Sequence, residues 1–139
     1  MGCAMVIAWA AALSAVDIRR RRLPNALTLT GALGILAGAV VAGLGLPALL
    51  GGLALAGLYL VVHLVDPAGL GAGDVKLALA LGALTGAYGF PVWLVGALGA
   101  PLLTAIVGVI AALRYRITRV PHGPSMCVAS LAATGLALF

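Results

Sequence analysis

Apolar residues fill six long stretches of this chain, and most polar and charged residues fall in the short breaks between the stretches. Apolar runs of roughly 18 or more residues are the signature of helices that cross a lipid bilayer. We therefore predict an all-α, polytopic integral membrane protein with about six transmembrane helices. The predicted spans are residues 1–16, 25–45, 46–65, 74–89, 90–113 and 121–139.

The breaks between the spans are turns rich in glycine and proline or runs of charge, and none is long enough to separate two domains. The pattern predicts a single transmembrane domain over residues 1–139. The breaks read DIRRRRLPN (17–25), GLGLP (43–47), DPAGLGAG (66–73), GAYGFP (86–91) and RYRITRVPHGP (114–124).

Composition agrees with a membrane protein, since 64% of the 139 residues are hydrophobic and only 8% are charged. A soluble domain of this size would expose more charge. The net charge of +5 does not indicate a nucleic-acid partner, because the basic residues lie between apolar runs, where they set orientation in the bilayer. Cys3 and Cys127 form neither a CxxC pair nor a zinc pattern, so we expect no metal site and interpret both as small packing residues.

The basic residues all lie in odd-numbered loops, which share one side of the membrane if there are six spans. By the positive-inside rule this side is the cytoplasm, and both termini are expected outside. Tyr88, Phe90 and Trp93 then form an aromatic belt at the opposite interface. A cleaved signal peptide over residues 1–16 is disfavoured, because the arginines follow the apolar run instead of preceding it. The basic residues are Arg19, Arg20, Arg21, Arg22, Lys76, Arg114, Arg116 and Arg119.

The three acidic residues of the chain, Asp17, Asp66 and Asp74, all fall at the predicted cytoplasmic edge of the membrane. A carboxylate near the bilayer centre costs roughly 2.5–3.5 kcal/mol, and because the cost falls toward the headgroups, edge positions are permitted. One interpretation of Asp74 is structural, since an aspartate after GAG is a good N-cap for the fourth span. Lys76 lies about 200° around the helix from Asp74, so we expect it to extend to the headgroups or to pair with another segment.

A second interpretation gives Asp74 a partner. Small residues follow it at helical spacing and would let another helix approach closely. If the first span packs on this face, with Ser14 one turn before Asp17, two carboxylates face each other at one depth. Gly71 and Gly73 would add backbone freedom and room for an extended substrate chain. The small residues are Ala78, Gly82 and Gly86, for which ordinary transmembrane packing is the alternative.

Two adjacent carboxylates imply a specific chemistry. They cannot both ionise easily, so the pair shares a proton over a useful pH range. One then acts as general base on a water while the other, protonated, polarises a peptide carbonyl. This is the logic of aspartic proteases, and it needs no metal. Serine, cysteine and zinc routes are disfavoured, since the chain has no glutamate, no HxxxH pattern and no nucleophile elbow.

Three motifs occur in order on the apolar spans: DIRRRRLPN from Asp17 to Asn25, GAGDVK from Gly71 to Lys76, and PHGP from Pro121 to Pro124. With this order and spacing, the sequence resembles the type IV prepilin peptidases, bacterial members of the GxGD intramembrane aspartic proteases, over essentially its whole length. The resemblance implies a hydrolase of the bacterial inner membrane. Such an enzyme removes the short basic leader from prepilins or pseudopilins at the cytoplasmic face, just before the hydrophobic N-terminal helix of the mature subunit.

The resemblance also assigns site residues. It implies that Asp17 and Asp74 are catalytic and that no cofactor takes part. Long family members carry an extra cytoplasmic region with paired cysteines and also methylate the new N-terminus; this chain lacks both the region and the pairs, and is similar to the short, peptidase-only forms of tight-adherence (Flp-type) pilus secretion systems. The other motif positions expected near the substrate are Pro24, Asn25, Gly71, Gly73, Lys76, Pro121, Gly123 and Pro124.

Several residues have alternatives that stay open. For His122 we expect solvation near the headgroups, with a pH-dependent contact to substrate as the alternative. We expect His63 to be an interface or hydrogen-bonding residue, and Asp66 to be a turn residue and the one rival to Asp74 as second carboxylate. The run Arg19–Arg22 is expected to anchor orientation and hold anionic lipid. A non-enzymatic function, as a proton- or cation-conducting or secretion-assembly subunit, is the alternative to the protease, although a relay would place acids at mid-span.

Overall fold

The computed structural model describes residues 2–20, 23–68, 70–116 and 120–138, and within these ranges the chain forms six α-helices. Each helix corresponds to one of the predicted apolar spans, so the all-α prediction is confirmed. The helices are α1 (Gly2–Arg20), α2 (Asn25–Val41), α3 (Gly45–Val65), α4 (Ala72–Ala87), α5 (Phe90–Tyr115) and α6 (Gly123–Leu138).

Three of the described helices, α1, α3 and α5, are long and apolar enough to cross a membrane. Helices α4 and α6 have 16 residues each, and a helix of this length reaches about 24 Å, less than a hydrocarbon core of about 30 Å. The apolar helices indicate a membrane protein, whereas the six spans and the side of the termini stay predictions. Arg21, Arg22 and Arg119, which contribute to the predicted orientation, lie outside the described residues.

Helix α1 extends beyond the predicted end of the first span and ends at Arg20. Asp17 therefore lies inside the helix, not at its end. The extension has a simple cause, because arginine is a good helix former and positive charge is favoured at a helix C-terminus. Pro24 then serves as the N-cap residue of α2 with an extended backbone, and a new helix begins.

Helix α4 lies at the centre of the described bundle and packs against α2, α3, α5 and α6. Its closest contacts are made at glycines. A Cβ added to Gly82 would lie 2.6 Å from the Gly51 carbonyl oxygen, and a Cβ added to Gly86 would lie 2.8 Å from the Gly51 Cα. The backbones of α3 and α4 therefore approach each other as closely as their atoms allow. The buried residues of α4 are Leu77, Ala78, Ala80, Leu81, Gly82, Ala83, Thr85 and Gly86.

Gly82 and Gly86 of α4 face α3, so the packing of the first span on this face, which the sequence leaves open, is not what the structure shows. Within the described ranges no Cα of α1 lies within 8 Å of a Cα of α4, and α1 packs mainly against α6. The physical reason is that α3 presents a matching small surface at Gly51 and Gly52, both in tight contact with α4. Two helices that both carry small residues where they meet can approach closely along the whole contact.

Replacing Gly82 with alanine is expected to destabilise the fold. The new Cβ would clash with backbone atoms of α3, and overpacking of this kind typically costs about 1–3 kcal/mol. We expect a lower midpoint of thermal unfolding in detergent. Gly57→Ala is the matched control, because Gly57 lies on α3 with no atom within 4 Å of an added Cβ. An unchanged midpoint in Gly82→Ala would show that α3 and α4 can separate at little cost.

Aromatic residues gather where α4 connects to α5. The rings of Phe90 and Trp93 stack with their centroids 5.9 Å apart, and Tyr88 is exposed at the end of α4. Trp93 also has a structural role, since its indole N–H donates a hydrogen bond to the Gly51 carbonyl oxygen at 2.9 Å. This contact fastens α5 to the glycine-rich face of α3.

Candidate active site

Asp17 is buried, with 6% of its surface exposed, and its carboxylate is bound by the N-terminal end of another helix. The backbone N–H of Gly123 donates a hydrogen bond to Asp17 Oδ2 at 3.0 Å. Gly123 is the first residue of α6, and the His122 carbonyl accepts the first intrahelical bond, from Met126 N–H. The first N–H groups of a helix have no partner within it. Asp17 supplies that partner for α6.

Asp74 occupies a similar position on a different helix. It is the third residue of α4. The N-cap residue of α4 is Gly71, and no side chain forms a capping hydrogen bond at this end of the helix. The N-cap interpretation of Asp74 is therefore wrong, although the residue still lies in the first helical turn. Its half-buried carboxylate lies close to the Gly71 backbone N–H. A carboxylate in the third helical position commonly folds back toward the N-cap in this way.

The two carboxylates interact electrostatically even though no Cα of α1 lies within 8 Å of a Cα of α4 in the described ranges. Helix α6 packs against both α1 and α4, and its buried Cys127 lies near both Asp17 and Asp74 with its thiol bound to Ser14. The hydroxyl of Tyr59, on α3, interacts with Asp74. Residues from four helices therefore surround one pair of acids. Cys3, by contrast, is exposed and does not fit the packing interpretation.

The N-terminal ends of α4 and α6 both point at this pair of acids. A helix N-terminus carries the equivalent of about half a positive charge, and α6 adds a hydrogen bond from its first N–H to Asp17. Two such ends stabilise a net negative charge on the pair, which is the charge that remains when two carboxylates share one proton. The arrangement compensates part of the cost of placing two like charges together.

The first and second motifs pack directly against each other beside the acids. The Lys76 ammonium donates a hydrogen bond to Asn25 Oδ1, so Lys76 pairs with another segment, which was one of its two predicted roles. A Cβ added to Gly73 would lie 3.0 Å from the Leu23 Cβ. Neither Gly73 nor Gly71 has a positive φ. Backbone freedom is therefore not what these positions require, and Gly73 instead permits the close approach of Leu23.

The third motif is more deeply placed than expected. His122 is half-buried, and its ring bonds Tyr59 through Nε2 at 2.7 Å and Thr104 through Nδ1 at 2.5 Å. The prediction that His122 is solvated was wrong. Burial lowers the pKa of His122, so the ring is neutral near pH 7. Pro121 and Pro124 flank this position and are half-buried.

Tyr59 and Thr104 were not singled out from the sequence. Each is a polar side chain in an otherwise apolar helix, and that is the signal that could have singled them out. His63 forms a hydrogen bond through Nδ1 with the Leu70 carbonyl oxygen at 2.6 Å. Asp66 is exposed and is the C-cap residue of α3, with its N–H bonded to the Val62 carbonyl.

Cavities lie at both ends of the described bundle. The larger one, about 640 Å³, is lined by the N-terminal half of α1 and by small residues of α2 such as Gly34 and Gly38, which have no atom within 4 Å of an added Cβ. Neither carboxylate borders it. A smaller cavity of about 360 Å³ lies beside Arg20, Pro24 and Asn25. This smaller cavity adjoins the first motif and is on the side of the bundle where the acids lie.

The described residues contain no group of three or more His, Cys, Asp or Glu side chains that could hold a metal ion. Asp17 and Asp74 form a pair of acids. Held by α1, α4 and α6, it can accept a proton from a water molecule and deliver one to a leaving group.

Comparison with known proteins identifies the family. Comparisons with curated protein sequences and with solved structures gave no significant match. The type IV leader peptidase family matches residues 4–113, which include both Asp17 and Asp74 and extend from α1 into α5. A match over this share of the chain, together with its apolar helices, shows that the chain belongs to the type IV leader peptidase family and is a protease of the membrane.

Proposed function

We propose that this protein is a membrane-embedded aspartic endopeptidase that removes the leader peptide from prepilin-like precursors at the cytoplasmic face of the bacterial inner membrane. The family supports proteolysis and prepilin-like substrates. The observation that carries the proposal is the arrangement of Asp17 and Asp74: they come from separate helices, lie at the N-terminal ends of α6 and α4 respectively, and are close enough to interact electrostatically.

The reaction we propose is hydrolysis by activated water. One carboxylate of the pair takes a proton from water, and the resulting hydroxide attacks the carbonyl carbon of the scissile amide. The other carboxyl group, protonated, donates a hydrogen bond to the carbonyl oxygen and stabilises its developing negative charge. The tetrahedral intermediate then collapses, the C–N bond breaks, and the leaving amine receives a proton from the pair. No covalent enzyme intermediate forms.

The surroundings of the pair support this chemistry. The peptide N–H of Gly123 fixes one oxygen of Asp17, which leaves the other oxygen available to a water or a substrate. Asp74 lies at the N-terminal end of the central helix, where the helix dipole favours its charge. Groups that are held in place before the substrate arrives do not have to reorganise during the reaction.

We further propose that the six helices all span the membrane, with both termini outside and the acids at the cytoplasmic edge. Arg20, Lys76 and Arg114 support this orientation, because they lie in or next to the terminal turns of α1, α4 and α5 at the end of the bundle where the acids lie. The short helices α2, α4 and α6 fit a bilayer that thins around the protein. The substrate then reaches the acids from the cytoplasm with its apolar helix still in the membrane.

A reporter cleaved by the reconstituted protein tests this proposal. The reporter carries a short basic leader followed by a 20-residue apolar helix, and a second reporter has the same leader and junction without the apolar helix. We expect the protein in liposomes to cleave only the first, and the mass of the product to show a new N-terminus at the start of the apolar helix. If neither reporter is cleaved and the liposomes instead conduct protons or cations, the non-enzymatic alternative is favoured.

A further inference from the structure

His122 connects three helices at the end of the bundle where the acids lie. Its ring nitrogens bind the hydroxyl groups of Tyr59 on α3 and Thr104 on α5, and its ring packs against the Tyr59 ring with the centroids 5.6 Å apart. A neutral imidazole has one donor and one acceptor, and each hydroxyl can donate or accept. Both ring nitrogens are therefore satisfied without a charge.

A single peptide bond joins His122 to Gly123, the residue that binds one of the two acids. Gly123 follows His122, and its N–H binds Asp17 at 3.0 Å. Consecutive Cα atoms are fixed about 3.8 Å apart across a trans peptide, so a displacement of His122 moves the donor that holds Asp17. Gly123 has no side chain, and Pro124 has neither an N–H nor a polar side chain. Neither residue can fix this end of α6 by a side-chain hydrogen bond of its own.

We propose that His122 is a positioning residue for the reaction: by binding Tyr59 and Thr104, it fixes the N-terminal end of α6 and thereby the geometry of the carboxylate pair. The inference rests on the proposed function of that pair. Tyr59 also lies within electrostatic range of the second acid, Asp74. The hydrogen bonds of His122 therefore reach Asp17 through the Gly123 peptide.

Three substitutions separate the hydrogen bonds of His122 from its volume. In His122→Gln the amide reaches the place of Nε2, in His122→Asn it reaches the place of Nδ1, and in His122→Phe the ring volume remains without either bond. We expect His122→Phe to lower kcat for the reporter about tenfold or more, which is the loss of one or two hydrogen bonds. KM is expected to stay within about twofold, because the substrate-binding residues are unchanged. At least one of the two amide variants is expected to recover kcat to within about threefold of wild type.

A double substitution distinguishes positioning from a general loss of packing. His122→Phe and Tyr59→Phe break the same hydrogen bond, so the double variant is expected to lose no more activity than His122→Phe alone. Losses that multiply, or a wild-type kcat in His122→Phe, overturn the inference. If His122→Phe does not accumulate, Tyr59→Phe and Thr104→Val carry the test, because each removes one hydroxyl with almost no change in volume.

Matched controls exist for both hydroxyl substitutions. Tyr115→Phe and Thr30→Val make the same chemical changes at exposed positions that take no part in the hydrogen bonds of His122, and both are expected to keep wild-type kcat. Failure of the two proposals can be told apart. No cleavage by the wild-type protein contradicts the proposed function and the inference with it, whereas cleavage by wild type and by every variant at one rate contradicts the inference alone.

Discussion

Replacing either Asp17 or Asp74 with asparagine is expected to abolish leader cleavage. Asparagine has nearly the same shape and keeps an oxygen that can accept the Gly123 hydrogen bond seen for Asp17, but its amide neither takes a proton from water nor returns one to the leaving amine. General acid–base groups typically contribute about 10²–10⁴-fold each, so we expect kcat to fall by at least this factor. The measurement is the rate at which the reporter loses its leader in proteoliposomes.

The pair should also behave as one unit. Because neither carboxylate works without the other, the double variant Asp17→Asn with Asp74→Asn is expected to be no slower than either single variant. Asp66→Asn is the matched control, since Asp66 is exposed at the end of α3 and its variant is expected to keep wild-type cleavage. Normal processing by Asp74→Asn, with loss of processing in Asp66→Asn, would transfer the second catalytic role to Asp66.

Replacing Gly123 with alanine is expected to cause the second-largest loss of cleavage. A Cβ at this position would lie 2.4 Å from Asp17 Oδ2 and 3.1 Å from Asp17 Cγ. Because Asp17 is buried, either its carboxylate or the first turn of α6 has to move. A displacement of about 1 Å at a reacting group can cost about 100-fold in rate, so we expect a loss of this order in kcat.

The control for this substitution lies on the same helix. Gly135 belongs to α6 and has no atom within 4 Å of an added Cβ, so Gly135→Ala is expected to keep full activity. Thermal unfolding of both variants in detergent separates a local displacement from a loss of fold. Wild-type cleavage by Gly123→Ala would mean that the Gly123–Asp17 hydrogen bond is not needed for catalysis.

The candidate site was only partly predictable from the sequence. Asp17 and Asp74 could be singled out, because a carboxylate beside an apolar span is costly and therefore conspicuous. Their surroundings could not. The N-cap role predicted for Asp74 is taken by Gly71. Several residues of the GAG stretch can begin a helix, and local sequence preference does not choose among them. The hydrogen-bond partners of His122 lie 18 and 63 residues away along the chain, and no local sequence pattern predicts contacts over such separations.

The small residues of α4 show the same limit. Their spacing indicates that some helix approaches closely, but the sequence does not say which helix, because Gly51 and Gly52 on α3 and the residues before Asp17 on α1 both offer small faces. In the folded chain α3 takes this position, and α1 packs mainly on α6. The carboxylates consequently interact beside α6, although the Cα atoms of the helices that carry them are more than 8 Å apart in the described ranges.

The sequence by itself determined that the described chain is made of apolar helices, approximately where each begins and ends, and which acids lie beside them. Hydrophobicity and helix propensity depend on residues that are neighbours in the chain, so these features can be predicted from the amino-acid sequence. Only the tertiary structure decided that α4 is central, that the first N–H of α6 holds Asp17, and that His122 fastens α6 to α3 and α5. These features depend on which surfaces fit together at atomic distance, and fit is a property of the assembled helices.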